Sequence, residues 1–356
     1  MKVCIVGLGA IGGLLAAWMG TRLPAGTVTL SALARGNTLV AVRNHGLVLE
    51  TDNAKASQPV LLHASDDAAA LGVQDVVILA VKGPALAAVA PAVQALLGPH
   101  TLVLAAMNGV PWWFFEGLPG ACQGLSLSSV DPGGVARACI PAAHVVGGVL
   151  HLASTSPAPG RVRHVNGNGI VIGRANGHAN GRADGRADGR ELGRKAGDAD
   201  PALQALAGLL TAAGMAVTVS GRIQREVWFK LWGNMTMNPI SALTGAPCDR
   251  ILDDPLVRGF CSAIMLEAQQ IGAAFGIPID QRPEERHAVT RKLGSFKTSM
   301  LQDSLAGRPL EIDARVGAVR EIGAHLGLAT PNIDALFGLV RLMASERGLY
   351  AAVPVH

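Results

Sequence analysis

The chain has 356 residues, 49% of them hydrophobic, and a formal net charge of +4 at pH 7, so its length suggests two domains with ample material for a core. The small net charge and the lack of a run of about eighteen apolar residues exclude a nucleic-acid-binding or membrane-spanning protein, and we expect it in the cytoplasm. Its five cysteines are widely spaced without a CxxC pair, which indicates neither a disulfide framework nor a metal site.

The N-terminus combines a buried strand with a glycine-rich turn. Residues 2–6 are nearly all apolar and predict a strand, and an apolar helical stretch starts at Gly13. Glycines between a strand and a helix let backbone N–H groups approach a pyrophosphate. The alternative is a tight turn that binds nothing. The predicted dinucleotide-binding residues are Gly7, Leu8, Gly9, Ala10, Ile11 and Gly12.

The end of the predicted second strand indicates which dinucleotide binds. Residues 27–34 contain no carboxylate that could bind the ribose hydroxyls of NAD, and they are followed by Arg35. A guanidinium at that place can pair with a 2′-phosphate. The pattern therefore favours NADP over NAD, unless Arg35 is an ordinary surface residue.

Two further buried strands, residues 75–81 and 101–106, end at polar side chains. Lys82 follows the first and Asn108 lies just beyond the second. Strands that alternate with helices predict an α/β fold with a doubly wound parallel sheet, in which ligands bind beyond the carboxyl ends of the strands. Lys82 and Asn108 are thus candidate site residues, although both residue types also suit simple strand ends.

A stretch rich in glycine, arginine and aspartate, residues 174–200, interrupts this pattern. It has almost no apolar side chains and predicts a flexible loop, since its aspartates and lack of aromatics disfavour a nucleic-acid tail. The first domain is predicted to span residues 1–220, with a helix at 201–214 and a strand at 215–219 after the loop. An all-helical C-terminal domain, residues 221–356, is predicted to contain the helix around Lys230 and helices at 255–276, 284–305, 312–327 and 332–347.

Three polar side chains recur at intervals of four in the helix around Lys230. At about 100° per residue, Lys230, Asn234 and Asn238 share one stripe of a helix that is otherwise apolar. Buried polar groups need polar partners. The stripe is either a structural network, with Asn238 ending the helix before Pro239, or one face of a binding site.

The ordered set of motifs resembles the ketopantoate reductase family over nearly the whole chain outside the glycine-rich stretch. It comprises the turn at 7–12, Val81-Lys82, Asn108-Gly109, Lys230 with Asn234 and Asn238-Pro239, Ser299 to Asp303, and Glu311 to Asp313. The resemblance implies a Rossmann-type domain, a helical domain, and NADPH and substrate in the cleft between them. It also implies roles: Lys230 as proton donor; Asn234 and Asn238 on the substrate; Ser299 on the substrate carboxylate; Glu311 and Lys82 at the cofactor; Asn108 at both.

Residue chemistry agrees with reduction of a 2-keto acid to a 2-hydroxy acid, because hydride transfer leaves negative charge on an oxygen that a lysine ammonium can protonate. The resemblance makes 2-dehydropantoate the expected substrate and pantoate the product. Three departures leave open another, bulkier 2-keto acid: the aromatic run Trp112–Phe115, Cys248 in place of an asparagine, and Phe296 in place of a polar residue. Four adjacent aromatics are more often core than pocket lining, so the run has either role.

Two other readings of the chain stay open. One is a related opine or 3-hydroxyacid dehydrogenase, and the other is an NADPH-sensing protein that reduces nothing and would not need a buried proton donor. Beyond the small-molecule substrate we expect no nucleic acid, membrane or metal partner, and the sequence allows a homodimer.

Overall fold

The chain divides into two compact units in a computed structural model that describes residues 1–50, 58–176 and 200–350. The first unit comprises Met1–Met107 and Val135–Glu226, and the second comprises Asn108–Gly134 and Val227–His356. The predicted boundary near residue 220 stays a prediction. The contacts in the structure place residues 108–134, which follow a strand of the first unit, with the second unit.

The first unit is built on a nine-stranded sheet. Its strands are β1 Lys2–Val6, β2 Thr29–Leu33, β3 Val48–Glu50, β4 His63–Ser65, β5 Val76–Leu79, β6 Leu102–Ala105, β7 Val145–Ala158, β8 Arg161–Arg174 and β9 Ala216–Val219. The order is β3-β8-β7-β6-β5-β1-β2-β4, with β9 also paired to β8. The last four residues of β1 are apolar and buried. This is expected because both faces of a parallel sheet are covered. The α/β prediction with a parallel sheet is confirmed.

One pair of strands departs from the parallel pattern. β7 and β8 are antiparallel and joined by a two-residue turn in which Gly160 adopts φ +72°. Neither strand was predicted, because residues 151–169 alternate poorly between apolar and polar and are mostly exposed at the far end of the hairpin. The antiparallel pair therefore makes the sheet mixed.

In its described residues, the first unit contains five complete α-helices: α1 Ala10–Arg22, α2 Gly36–His45, α3 Leu86–Gln94, α4 Val135–Cys139 and α5 Pro201–Ala212. The α1 residues Leu14 to Met19 are all buried in the main apolar core. Gly13 lets α1 approach the sheet, since a Cβ there would lie 2.5 Å from Val162 of β8. A bulkier residue would push α1 away from the strands it covers.

An ion pair joins the two end residues of the glycine-rich stretch, Arg174 and Asp200. Arg174, the last residue of β8, donates from Nε to Asp200 Oδ2 at 2.6 Å and from Nη2 to Oδ1 at 3.2 Å. The Asp200 carboxylate also caps α5 by accepting from the Leu203 N–H at 3.1 Å. Residues 177–199, on which most of the flexible-loop prediction falls, lie outside the described residues.

Hydrogen bonds hold residues 108–134 to the helices of the second unit. The Glu321 carboxylate accepts four of them, from the backbone N–H and hydroxyl groups of Ser128 and Ser129. The Val110 N–H donates to the Ala314 carbonyl at 2.7 Å. These bonds explain why this segment belongs with the second unit.

Seven α-helices follow: α6 Ile223–Thr244, which begins in the first unit, α7 Cys248–Asp253, α8 Pro255–Ala274, α9 Pro283–Arg291, α10 Ser299–Leu305, α11 Ala318–His325 and α12 Pro331–Glu346. The predicted helical C-terminal part is confirmed. The single helix predicted over 284–305 was wrong, because Gly294 adopts φ +62° and Thr298 caps a new helix by accepting from the Leu301 N–H. The helix predicted from residue 312 begins instead as one π-helical turn, Asp313–Gly317.

Within the described ranges, no helix combines the length and apolar character that crossing a membrane demands.

Candidate active site

The glycines of the turn in the first unit have different structural roles. Gly7 adopts φ +93°, and a Cβ at Gly12 would lie 2.0 Å from the Gly7 carbonyl oxygen. A Cβ at Gly9 would meet no atom within 4 Å. Gly7 and Gly12 are therefore needed to form the turn, whereas Gly9 leaves open space at the start of α1.

The α1 N-terminus beside Gly9 suits an anion. No side chain caps this end, and its first turn contains no acidic residue. Free N–H groups and the positive end of the helix dipole favour a phosphate there. The start of α1 thus offers free N–H groups and open space at Gly9, while the binding of a dinucleotide by residues 7–12 stays a prediction.

Arg35 lies exposed at the end of β2, one residue before α2 begins at Gly36. An exposed guanidinium beyond the second strand can pair with a ligand phosphate through its planar fork of donors. Lys82 follows β5 and precedes a single 3₁₀ turn, Gly83–Ala85. Both residues therefore follow strands of the same sheet that holds the glycine turn.

The predicted polar stripe lies on the 22-residue helix α6, in the part of it that belongs to the second unit. The helix continues through Pro239 to Thr244, so the alternative in which Asn238 ends it was wrong. Asn238 is 7% exposed, and Asn234 is partly buried. Trp228, Leu231, Trp232 and Met235 on the other faces are buried, which leaves the stripe as a polar strip on an apolar helix.

The Lys230 amine is held by the segment after β6. Its Nζ donates to Asn108 Oδ1 at 2.8 Å. Burial, together with the positive charge of Arg315, lowers the pKa of Lys230 from 10.5 to about 7, against the opposing effect of Glu311. An amine with such a pKa can both carry and release a proton near neutral pH.

Arg315 and Glu311 form a buried ion pair beside this amine. Arg315 Nη2 donates to Glu311 Oε2 at 3.1 Å, and the two side chains are 4% and 10% exposed. The Arg315 Nε is buried without a hydrogen-bond partner. A guanidinium and a carboxylate, both nearly buried, thus act on the charge of Lys230.

The π-helical turn connects Asn108 to this ion pair. A Cβ at Gly109, which has φ +88°, would lie 2.5 Å from the Ala314 carbonyl oxygen, and the Val110 N–H donates to that same oxygen. Single π turns occur often at functional sites because they redirect side chains. Here the turn fixes Asn108, and through it Lys230, to the segment that carries Glu311 and Arg315.

Of the predicted site residues, the structure brings together Lys230, Asn108 and Glu311. Asn234 and Asn238 lie on the same helix as Lys230, and their side chains make no hydrogen bond to another described residue. Ser299 is exposed at the first position of α10, where Thr298 rather than Ser299 caps the helix. The stripe amides are therefore available to a ligand, and Ser299 has a free hydroxyl at a helix N-terminus.

The residues that depart from the family pattern lie in different environments. Trp113, Phe114 and Phe115 are 1% exposed, and the two phenylalanines pack edge-on against each other and against Phe275. These aromatics form core, so they do not line a larger substrate pocket. Cys248 and Phe296 are neighbours, since the Cys248 N–H donates to the Phe296 carbonyl at 3.0 Å.

Sequence reasoning missed two arginines of this region, Arg315 and Arg286. Arg315 follows Glu311 by four residues, and an i, i+4 acid–base pair on a predicted helix was the available signal. Arg286 lies on α9 and contacts α6 at Gly233. No sequence spacing joins those two positions, so only tertiary structure could reveal that contact.

Comparison with known proteins agrees with this arrangement. Residues 3–177 match the family model described as ketopantoate reductase PanE/ApbA, and residues 222–344 match the model of its C-terminal part. This chain belongs to the ketopantoate reductase family. A 2-dehydropantoate 2-reductase from Mesorhizobium japonicum is 40% identical over 99% of this chain and 100% of its own length.

Solved structures show that the ketopantoate reductase fold covers nearly the full chain. A protein from Ralstonia solanacearum MolK2 is 50% identical with a TM-score of 0.87, covering 98% of this chain and 99% of its own. A dimeric ketopantoate reductase from Staphylococcus aureus, 21% identical with a TM-score of 0.70, covers 98% of this chain and 100% of its own. At that identity the second likeness concerns the fold alone.

Proposed function

We propose that this chain catalyses the NADPH-dependent reduction of 2-dehydropantoate to pantoate, a 2-keto acid to a 2-hydroxy acid. The observation that carries the proposal is the Lys230 amine, held by Asn108 at 2.8 Å and with its pKa lowered to about 7. A general acid works best when its pKa lies near the working pH. The name of the Mesorhizobium japonicum relative supports the choice of substrate.

The first unit would hold the cofactor. Gly9 and the uncapped start of α1 fit the pyrophosphate, and Arg35 beyond β2 suits the 2′-phosphate that distinguishes NADP from NAD. Lys82 and Glu311 are proposed cofactor contacts on the basis of the family resemblance. When bound, NADPH supplies a hydride to the keto carbon of the substrate.

Lys230 supplies the proton that completes the alcohol. Its ammonium would donate to the keto oxygen, stabilising the negative charge that grows there as the carbonyl is reduced. The amide oxygen of Asn108 accepts one ammonium hydrogen and so fixes the direction of the others. Arg315 limits the affinity of the amine for its proton, so that the proton is released to the product oxygen.

The polar stripe would orient the substrate. Asn234 and Asn238 can donate to a hydroxyl or carboxylate group without adding charge. Ser299, exposed at the N-terminus of α10, would bind the carboxylate. All three roles rest on the family resemblance, and those of Asn234 and Asn238 rest also on their shared face of α6.

A second candidate is reduction of a less polar 2-keto acid. The observation that favours it is the contact between Cys248 and Phe296, which places an apolar pair where the family resemblance expects two polar residues. The wild-type preference between 2-dehydropantoate and aliphatic 2-keto acids of similar size distinguishes the two candidates.

A homodimer is the proposed assembly. The support is the Staphylococcus aureus ketopantoate reductase, which is described as dimeric. Sedimentation equilibrium of the purified chain measures this directly, and a mass of one chain at all concentrations would contradict it.

The test of the reaction is NADPH oxidation, followed by absorbance, with 2-dehydropantoate and a panel of other 2-keto acids. We expect the highest kcat/KM with 2-dehydropantoate and NADPH, and formation of pantoate in equal molar amount. NADPH binding without oxidation by any member of the panel would contradict the proposal and would favour a sensor.

A further inference from the structure

The segment after α12 packs against the residues that lead into the π turn. The Leu310 N–H donates to the Leu349 carbonyl at 2.9 Å, and the Leu349 N–H donates to the Ala344 carbonyl of α12 at 2.7 Å. Leu310 and Leu349 are 2% and 4% exposed, so this contact belongs to the core. The chain beyond α12 is therefore fixed both to its own helix and to the segment that carries Glu311.

A side-chain hydrogen bond joins the same two segments. The Tyr350 hydroxyl donates to Asp313 Oδ1 at 3.0 Å, and both side chains are partly buried. Burial raises the pKa of Asp313 above its usual value, against the opposing effects of the Tyr350 bond and of Arg341 on α12. Burial and the Asp313 charge raise the pKa of Tyr350 to about 12, so its hydroxyl keeps its proton and donates at neutral pH.

Asp313 is the first residue of the π turn. The Ile312 carbonyl oxygen before it is shared by three N–H groups, those of residues 315–317, at distances between 2.8 and 3.3 Å. Such a turn departs from the regular bond pattern of an α-helix and is rare in proteins. Contacts from outside the turn therefore help to hold it, and the Tyr350 bond is one of them.

Two connections run from the π turn to the Lys230 amine. The Ala314 carbonyl accepts the Val110 N–H at 2.7 Å, in the segment whose Asn108 holds the amine at 2.8 Å. Arg315, on the same turn, lowers the pKa of Lys230 through its positive charge. A shift of the turn would therefore change both the direction of the amine and the charge that acts on it.

We propose that Tyr350 is a positioning residue for the Lys230 amine, acting through Asp313 and the π turn. The inference rests on the proposed function, because it gives Lys230 the role of proton donor. The hydroxyl takes no part in the chemistry, and it keeps the turn in the geometry that presents Asn108 and Arg315 to the amine. A purely structural Tyr350 would affect the thermal midpoint and leave the titration of Lys230 unchanged.

The direct test is the proton titration of Lys230, followed by NMR of the full chain with lysine labelled by ¹³C at Cε. The resonance missing from Lys230→Met identifies the residue. In Tyr350→Phe, which removes only the hydroxyl, the turn should relax, admit water and withdraw Arg315. Both effects raise the pKa of the amine, and withdrawal of Glu311 opposes them but is the weakest of the three contributions. We expect the titration midpoint to rise by about 0.5 to 1 pH unit, as for coupled residues of one network.

Substitutions of Asp313 test whether the two side chains act as a pair. Asp313→Asn keeps an oxygen that can accept from the Tyr350 hydroxyl, so its Lys230 midpoint should stay closer to the wild type than that of Asp313→Leu. In the Asp313→Leu background, Tyr350→Phe should cause no further change, because the hydroxyl has already lost its acceptor.

Tyr350 is the single tyrosine of the chain, so tyrosine labelled by ¹³C at Cζ gives one resonance. That resonance should move in Asp313→Leu, because the hydroxyl loses its acceptor, and a resonance that stays in place would contradict the pair. Thr290→Val is the matched control. It removes a partly buried hydroxyl that bonds within α9, to the Arg286 carbonyl at 3.1 Å, and it should leave both the tyrosine resonance and the Lys230 midpoint unmoved.

Turnover provides a second readout. The pH above which kcat falls should rise in Tyr350→Phe by the same amount as the Lys230 midpoint. An unmoved midpoint in Tyr350→Phe, with or without a lower thermal midpoint, would overturn the inference, as would an equal movement in Thr290→Val. Because the titration is measured without turnover, a chain that reduces no 2-keto acid yet shows the shift would refute the proposed reaction and keep the coupling of Tyr350 to Lys230.

Discussion

The glycine turn and the Lys230 cluster are assembled in different ways. The turn consists of consecutive residues 7–12 between β1 and α1, and each glycine is explained by atoms close in sequence. The cluster joins three separate segments: Asn108 after β6, Lys230 on α6, and Glu311 with Arg315 around the π turn. Mutations in the turn should therefore act by changing the backbone conformation. Mutations in the cluster should act by changing the charges around Lys230.

Removal of the amine should have the largest effect. Lys230→Ala is expected to reduce kcat by roughly 10² to 10⁴, the usual contribution of a general acid, because nothing else on the stripe carries a proton of similar pKa. NADPH affinity and the thermal midpoint should stay near the wild-type values. Lys292→Ala, an exposed lysine after α9, is the control and should retain full turnover. Wild-type kcat in Lys230→Ala would remove the residue from the mechanism.

The next largest change concerns the choice of dinucleotide. Arg35→Met should weaken NADPH by roughly 10-fold to 100-fold, as expected for a lost charge-assisted hydrogen bond, and leave NADH unaffected. The measurement is kcat/KM with each nucleotide at fixed keto acid. Equal loss for both nucleotides would show that Arg35 does not read the 2′-phosphate.

Two neighbouring glycine substitutions should separate folding from binding in the turn. Gly12→Ala places a Cβ 2.0 Å from the Gly7 carbonyl oxygen and should cost about 1 to 3 kcal/mol of unfolding free energy, as overpacking does. Gly9→Ala meets no protein atom and should keep wild-type stability while it weakens NADPH. Thermal unfolding and nucleotide fluorescence measure the two effects. Equal NADPH affinity in Gly9→Ala and the wild type would argue against a pyrophosphate there.

The pH profile should give the smallest but most diagnostic change. The reduction needs protonated Lys230, whose pKa is about 7, so kcat should fall as the pH rises above 7. Arg315→Met removes a positive neighbour and frees the Glu311 charge. Both changes raise the pKa of Lys230. The alkaline limb of the kcat profile, where kcat falls with rising pH, should therefore move to higher pH.

Three variants control that shift. Arg315→Lys keeps a positive charge and should leave the limb nearer its original place. Glu311→Gln should move the limb the opposite way, to lower pH, because it removes a negative neighbour. Arg320→Met removes an exposed, paired arginine of the following helix and should leave the limb unmoved. A limb unchanged in Arg315→Met would show that its charge does not act on Lys230.

Much of the first unit could be predicted because its pattern is short-range. The strands at 76–79 and 102–105 are continuous apolar runs, those at 2–6 and 216–219 contain one polar residue each, and glycine spacing identified the turn. The β7–β8 hairpin was missed because its outer half is polar and exposed, which removes the alternation that identifies strands.

The site was predictable only in part, because some of its residues share one helix and others come from segments far apart in sequence. Lys230, Asn234 and Asn238 share a helical spacing, so their common face followed from sequence. The bond from Lys230 to Asn108 spans 122 residues, and no periodicity connects positions so far apart. The aromatic run at 112–115 looked ambiguous in sequence because core and pocket use the same side chains, and only burial distinguished them.

The ion pair between Arg174 and Asp200 brings two chain positions 26 residues apart within hydrogen-bond reach. The chain therefore leaves β8 and enters α5 at nearly one point, and a much shorter connection could join them. Replacing residues 177–199 by a few glycines and serines should preserve the sheet and the cap of α5, and should lower the entropy cost of closing the loop only slightly. That position is accordingly a natural place to insert a tag or a fluorescent domain.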